Sequence, residues 1–155
     1  GAAEVHDGAA PALAGRAVLL VDDEPLIRSS GRRLLENLGF RVLLAENGRA
    51  ALDCYAAHAS EIALVVLDLI MPVMDGAETF RELRKLDPDV LVLLSSGYVK
   101  ESKAEALISA GAAGFLRKPY TMEQLSRYID QALEGRGETL RRQPTDRGGG
   151  SPSSC

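Results

Sequence analysis

Three acidic residues stand in a row at Asp22, Asp23 and Glu24, and a further carboxylate, Asp68, lies far along the chain. Hydroxyls follow at Ser95 and Ser96, and an ammonium at Lys118 sits between Arg117 and Pro119. Each group comes just after a short apolar run, at 17–21, 63–67, 90–94 and 114–116. Crowded carboxylates repel one another, and a hard dication relieves that repulsion. Mg2+ takes oxygen ligands, keeps several waters and is typically bound through one or two carboxylates plus phosphate. A carboxylate can also act as a nucleophile and form an aspartyl phosphate. Transfer of a phosphoryl group then needs positioning and charge neutralisation more than covalent help. A lysine and a metal can supply the charge, and a serine hydroxyl can hold a phosphoryl oxygen.

Singly, each residue has a plainer explanation. Acids suit a helix N-terminus, Asp68 could form a turn, the serines could be caps, and Lys118 could be a solvated charge. Together they fall after four of five apolar runs. The decisive question is whether the fold brings those four points to one place.

The elements that must do so are legible as alternating periods. The runs at 63–67 and 90–94 are almost wholly apolar, as strands covered on both faces of a parallel sheet should be. Arg41–Ala45 opens with a charge and belongs nearer an edge. Between the strands, Pro25 suits a first helical turn, with Ile27, Leu34, Leu35 and Leu38 on one face before Gly39. Helices are also predicted over 50–57, 77–86 and 101–110. Thr121 with Gln124 forms a capping box for a last helix whose inner face is Leu125, Ile129 and Leu133. Strands that each lead into a helix make an α/β open sheet with right-handed crossovers. Ligands bind off the carboxyl ends of the strands in such sheets, which is where all four groups lie.

Composition sets the outer bounds. The 155 residues are 46% hydrophobic and 26% charged, with a net charge of −4. That is enough apolar material for one domain. A pI near 5.2 carries no basic footprint for nucleic acid, and no apolar run approaches the length of a membrane span. Residues 1–15 read as an Ala/Gly-rich linker, 16–134 as the folded unit, and 135–155 as a disordered Gly/Ser/Arg-rich tail. A start at Gly1 and not Met suits a piece cut from something longer as well as a trimmed terminus. No secretory leader is recognised at 1–14. Cys54 and Cys155 have no metal or disulfide spacing, so both are read as thiols in a reducing, cytoplasmic setting. His6 and His58 lie in no phosphoacceptor or ATP-binding pattern.

With these blocks in view, the sequence resembles the receiver domain of two-component response regulators across roughly residues 17–134. The resemblance rests on Val-Asp-Asp-Glu-Pro at 21–25, Asp-Leu-Ile-Met-Pro-Val-Met-Asp-Gly at 68–76, Ser-Gly-Tyr at 96–98 and Gly-Ala-Ala-Gly-Phe-Leu-Arg-Lys-Pro at 111–119. It implies a flavodoxin-like (βα)5 doubly wound fold, with a five-stranded parallel sheet in order 2-1-3-4-5. Asp68 is then the phosphoacceptor. Asp22, Asp23, Asp68 and the backbone carbonyl of Ile70 hold Mg2+, Asp22 mostly through water. Lys118 pairs with the phosphoryl group. Ser96, 22 residues before Lys118 as the family's spacing asks, is the switch hydroxyl in preference to Ser95. Phe115 is the aromatic that swings inward on activation. Ile70 and Tyr98, two residues after the phosphoacceptor and the switch hydroxyl, flank the path of the hydrolytic water and tune the phosphoryl lifetime.

The implied partners are a histidine kinase or histidine phosphotransfer domain, and a second copy through the fourth helix, fifth strand and fifth helix. No enzyme activity on other molecules is expected, and neither nucleic acid nor membrane is a partner of this domain. A C-terminal receiver of a hybrid histidine kinase is weighed slightly above a stand-alone regulator. A haloacid-dehalogenase-type phosphatase shares the aspartyl nucleophile but needs a second acid two residues on, where this chain has Ile70. A receiver used only as a phosphate-independent docking surface stays open.

Overall fold

Each apolar run becomes a strand and each strand returns through a helix. The structure, a computed structural model, describes residues 16–135 and 153–154. Its strands are β1 (Ala17–Val21), β2 (Arg41–Ala45), β3 (Ile62–Asp68), β4 (Val92–Ser96) and β5 (Gly114–Arg117). Between and after them run α1 (Pro25–Asn37), α2 (Gly48–His58), α3 (Gly76–Leu86), α4 (Glu101–Ser109) and α5 (Met122–Glu134). All five strands are parallel, in order 5-4-3-1-2, the expected order read from the other edge. A two-residue strand, β6 (Ser153–Ser154), adds in parallel beside Leu43 and Leu44 of β2. The remaining residues assigned to linker and tail, 1–15 and 136–152 with Cys155, lie outside the described residues.

Side-chain alternation divides the sheet between two helical layers. Leu19, Val21, Val65, Leu67, Val92 and Leu94 pack with Leu52 and Tyr55 of α2 and with Phe80 and Leu83 of α3. Val18, Leu20, Leu64, Val66, Leu93 and Leu116 pack with Leu35 of α1 and with Leu125, Ile129 and Leu133 of α5. Two-sided cover is why β1, β3 and β4 are buried along their whole length. Each fully buried Leu or Val contributes about 1.5–3 kcal/mol, so the sheet is a stiff base for whatever hangs from its carboxyl edge.

Side-chain caps begin three of the helices. Pro25 opens α1, and Asn47, Asp75 and Thr121 cap α2, α3 and α5 through their side chains. The capping box of Thr121 and Gln124 is formed. Gly39 and Gly111 take left-handed backbone just beyond α1 and α4, the usual glycine solution to a helix end.

Three differences from the sequence reading have physical causes. First, β4 runs from Val92 to Ser96 and not over 90–94. Val90 instead donates to the Asp87 carbonyl in a turn that leads into the sheet. Ser95 and Ser96 are therefore the last rungs of the ladder, held level with Asp68 and Arg117. Second, α2 begins at Gly48 because Asn47 Oδ1 accepts from the Ala50 amide at 2.8 Å. Third, Cys54 is buried and disulfide-bonded, so it is not the thiol expected. The chain's other cysteine, Cys155, lies outside the described residues. The argument for a reducing compartment from cysteine usage therefore falls.

One residue is strained. Val73, in the loop between β3 and α3, has φ of 71° and is 87% exposed. Left-handed backbone costs an L-residue about 1–2 kcal/mol, and a β-branched side chain is a true outlier there. Asn tolerates this region. Val73→Asn should therefore raise stability by about 1 kcal/mol, read as a higher urea midpoint at unchanged slope. A lower midpoint would contradict the strain.

Candidate functional site

Register places the acidic residues side by side. Val21 and Leu67 are partners in adjacent strands, so Asp22 and Asp68 leave the sheet edge at the same level. Both are 2% exposed, and Asp23 is half-buried beside them. One carboxylate oxygen from each of the three lies within 4.8 Å of the others. Buried carboxylates are costly unless paired and hydrogen-bonded, and the site supplies both. Lys118 Nζ donates to Asp22 Oδ2 at 2.8 Å and lies 3.4 Å from Asp68 Oδ1. The Glu24 amide donates to Asp22 Oδ1 at 2.9 Å, and the Ile70 amide to Asp68 Oδ1 at 3.3 Å.

Lys118 arrives from two strands away. Its own amide donates to the Ser96 carbonyl at 2.9 Å, which extends the β4–β5 ladder by one step and aims the side chain back across β4. The Lys118–Pro119 peptide is cis. On the other side, α3 closes against the end of β3, with the Gly76 amide donating to the Leu69 carbonyl at 2.9 Å. A Cβ at residue 76 would strike the backbone of Asp68 and Leu69. Glycine is needed here for close approach, so that the 69–75 loop stays tight beside Asp68.

The charges do not balance. Three carboxylates against one ammonium leave two negative charges in a site largely shut from water. Burial first, and the Asp22 charge second, push the Asp68 carboxyl up to about 6, against the pull of Lys118. For Lys118, burial works against the charged form. The hydrogen bond to Asp22 and the charges of Asp68 and Asp22 outweigh it, so its ammonium is held above the ordinary lysine value. Tyr120, half-buried next to Pro119, is pushed up to about 12 by burial and by the same two carboxylates. It stays a neutral phenol.

This donor set fits Mg2+: all oxygen, with two excess negative charges for a dication to cancel. A pH dependence follows. Asp68 holds its proton more tightly folded, at about 6, than at its ordinary 3.8. That proton's contribution to the metal-free fold is complete below about pH 4 and is lost as pH rises through about 6. A cation competing for the same carboxylate should therefore stabilise more where the proton is gone. The rise in Tm on adding Mg2+ should be larger at about pH 7.5 than at about pH 5. Equal rises at both would show that the metal does not use Asp68.

The remaining residues singled out in the sequence lie on β4, on β5 and in the loops after β3 and β4. Ser96 is buried, and its Oγ donates to the Tyr98 carbonyl at 2.8 Å while accepting from the Tyr98 amide at 3.2 Å. Ser95, the register partner of Asp68, takes the sheet face opposite that of Ser96. Phe115 is the register partner of Leu94 and packs, partly buried, on the same core layer as Leu94. Ile70 and Tyr98 are 66% and 70% exposed. Sequence reasoning overlooked Arg28, whose guanidinium Nη1 donates to the Asp22 carbonyl at 2.6 Å. The available signal was a cation one turn into a helix that directly follows three acids. It also overlooked how closely Tyr120 sits to the carboxylates.

Among the described residues, no helix is long and apolar enough to cross a membrane. A family model described as the response regulator receiver domain matches residues 18–130. The sensor kinase CckA of Brucella abortus is 40% identical over 117 residues, which is 76% of this chain but 12% of that protein. A response regulator receiver domain protein from Clostridium thermocellum superposes with a TM-score of 0.74 at 30% identity, covering 79% of this chain and 97% of that one. CheY from Borrelia burgdorferi, in a crystal structure described as a CheX–CheY–BeF3–Mg2+ complex, reaches 0.71 at 27% identity, covering 74% of this chain and 86% of that one. With its sheet order, its acidic crevice and a family match over most of its length, this chain belongs to the response regulator receiver domains of two-component systems.

Proposed function

We propose that this chain accepts a phosphoryl group on Asp68 from the phosphohistidine of a histidine kinase or histidine phosphotransfer domain, in the presence of Mg2+. The observation that carries the reading is the convergence of Asp22, Asp23, Asp68 and Lys118 at one point on the carboxyl edge of the sheet. An Asp68 carboxylate oxygen attacks phosphorus, the phosphorus–nitrogen bond of the donor breaks, and the imidazole leaves with that electron pair. Asp68 must be ionised to attack, which it is above about pH 6. Bound Mg2+ supplies charge neutralisation for the phosphoryl oxygens, and Asp22, Asp23, Asp68 and the Ile70 carbonyl are the residues that would hold it. The Borrelia CheY complex with BeF3 and Mg2+ supports that assignment by likeness.

The other groups act on the phosphoryl oxygens. Lys118 turns from Asp22 to pair with one of them. Ser96 releases the Tyr98 carbonyl and donates to another. Phe115 then moves toward the space Ser96 leaves, and the surface of α4, β5 and α5 changes to meet a partner or a second copy. The phosphate need only bias two packings a few kcal/mol apart. The domain works on itself and not on a separate substrate; its cytoplasmic setting rests on likeness to the family and not on its cysteines, and likeness to CckA supports a receiver carried by a hybrid kinase.

The test is incubation with a small acyl phosphate and Mg2+, read by intact mass. The parent should gain one phosphoryl group, and Asp68→Asn should gain none. Labelling of Asp68→Asn at the parental level would put the phosphoryl group on another residue and overturn the assignment, and a parent that gains none would leave docking without phosphate as the function.

A further inference from the structure

We infer that Arg28 is a positioning residue for the metal site: it acts on Mg2+ through the backbone of Asp22 and not through its own charge. The inference rests on the metal reading above and adds to it. Asp22 has three oxygen acceptors, and each is taken by a different part of the fold. Oδ1 accepts from the Glu24 amide, Oδ2 from Lys118 at the end of β5, and the backbone carbonyl from Arg28 of α1 at 2.6 Å. The Asp22 amide in turn donates to the Ala45 carbonyl of β2 at 3.2 Å. Among the described residues, the Asp23 carboxylate has no such anchors. Asp23 hangs between Asp22 and Glu24, so the direction of its carboxylate is set by the backbone on either side.

Helix α1 lacks the tie that usually fixes such a turn. Its N-cap, Glu24, makes no side-chain cap hydrogen bond, and no acidic residue lies in the first turn. The Arg28 guanidinium supplies a side-chain link from α1 back to the β1–α1 turn, one residue before Asp23. A residue that orients a ligand without touching the metal commonly changes affinity by tenfold or more.

A purely electrostatic role makes the opposite prediction. A cation near three carboxylates competes with a second cation, so its removal should tighten Mg2+ binding. Positioning requires that removal weaken it. The sign therefore decides between them.

The experiment is an Mg2+ titration of the full chain, read by calorimetry and by Tm, on the parent, Arg28→Met and Arg28→Lys. A single carbonyl needs one donor and no planar fork, so lysine can take over the link. Arg28→Met should bind Mg2+ about tenfold more weakly, and Arg28→Lys should stay near the parent. In metal-free protein, Arg28→Met should also shift the backbone amide resonances of Asp23 and Glu24. Equal or tighter Mg2+ binding by folded Arg28→Met would overturn the inference. Should Arg28→Met fail to fold, Arg28→Gln, which loses charge and reach, carries the same expectation. A parent that binds no Mg2+ would instead sink the metal reading on which the inference rests.

Discussion

Asp23→Ala should leave the chain folded, unresponsive to Mg2+ and nearly unable to take a phosphoryl group from an acyl phosphate. Asp23 is half-buried and accepts no hydrogen bond among the described residues. Its removal therefore leaves no donor stranded, and it relieves repulsion with Asp22 and Asp68, whose oxygens lie within 4.8 Å. Without metal the variant should be at least as stable as the parent. With metal it should lose the parent's Tm increase. A bound metal is worth several kcal/mol of charge stabilisation during phosphoryl transfer, so labelling should slow by about a hundredfold or more. Thermal scans with and without Mg2+, beside a labelling time course, check both parts. Labelling at the parental rate would remove Asp23 from the site.

Exchanging Ile70 and Tyr98 for polar residues should shorten the life of the phosphorylated form. Both side chains stand mostly in solvent, at 66% and 70% exposure, so Ile70→Asn with Tyr98→Glu should cost little stability. Ile70 follows Asp68 closely enough for its amide to bond the Asp68 carboxylate. Tyr98 is tied through its backbone to Ser96 on both amide and carbonyl. Flanking the route of the hydrolytic water is the role that likeness to the family implies for these two side chains, and the backbone of each is tied beside the site. Isoleucine has no donor or acceptor to orient a water, and a tyrosine ring can cover phosphorus. Restoring one positioning hydrogen bond is worth about 0.5–1.5 kcal/mol, up to roughly tenfold in rate. The decay of the purified phosphoprotein, parent against double variant, should differ in that direction. Equal lifetimes would leave both residues as loop cover only.

Much of the frame was legible because it rests on period and punctuation. β1 and β2 begin and end where the apolar runs do, and Pro25 and Thr121 start helices by a local rule. Strand order was not legible from pattern and came from resemblance. The end of β4 was misplaced because Val90 and Leu91 look like strand but form the approach to it, while two serines look like loop but complete the ladder. Asp22, Asp68 and Lys118 could be assigned to one crevice because each follows a strand. Arg28 was harder to read: a cation one turn into the helix was the signal, but a side-chain bond to a backbone carbonyl depends on helix phase and rotamer as well as on spacing. Val73 could not be read, because its strain belongs to the tight 69–75 loop and not to its residue type. Cys54 was misread because pairing depends on spatial approach, which spacing along the chain does not report.

The central claim is that the phosphoryl group sits on the carboxylate of Asp68. Borohydride reduces an acyl phosphate to an alcohol, so a phosphorylated aspartate becomes homoserine and can be located by peptide sequencing. After treatment with acyl phosphate and Mg2+, homoserine should appear at position 68 and nowhere else, and chelating the metal beforehand should abolish it. Homoserine at position 22 or 23, or none at any position in protein that carries the label, would contradict the account.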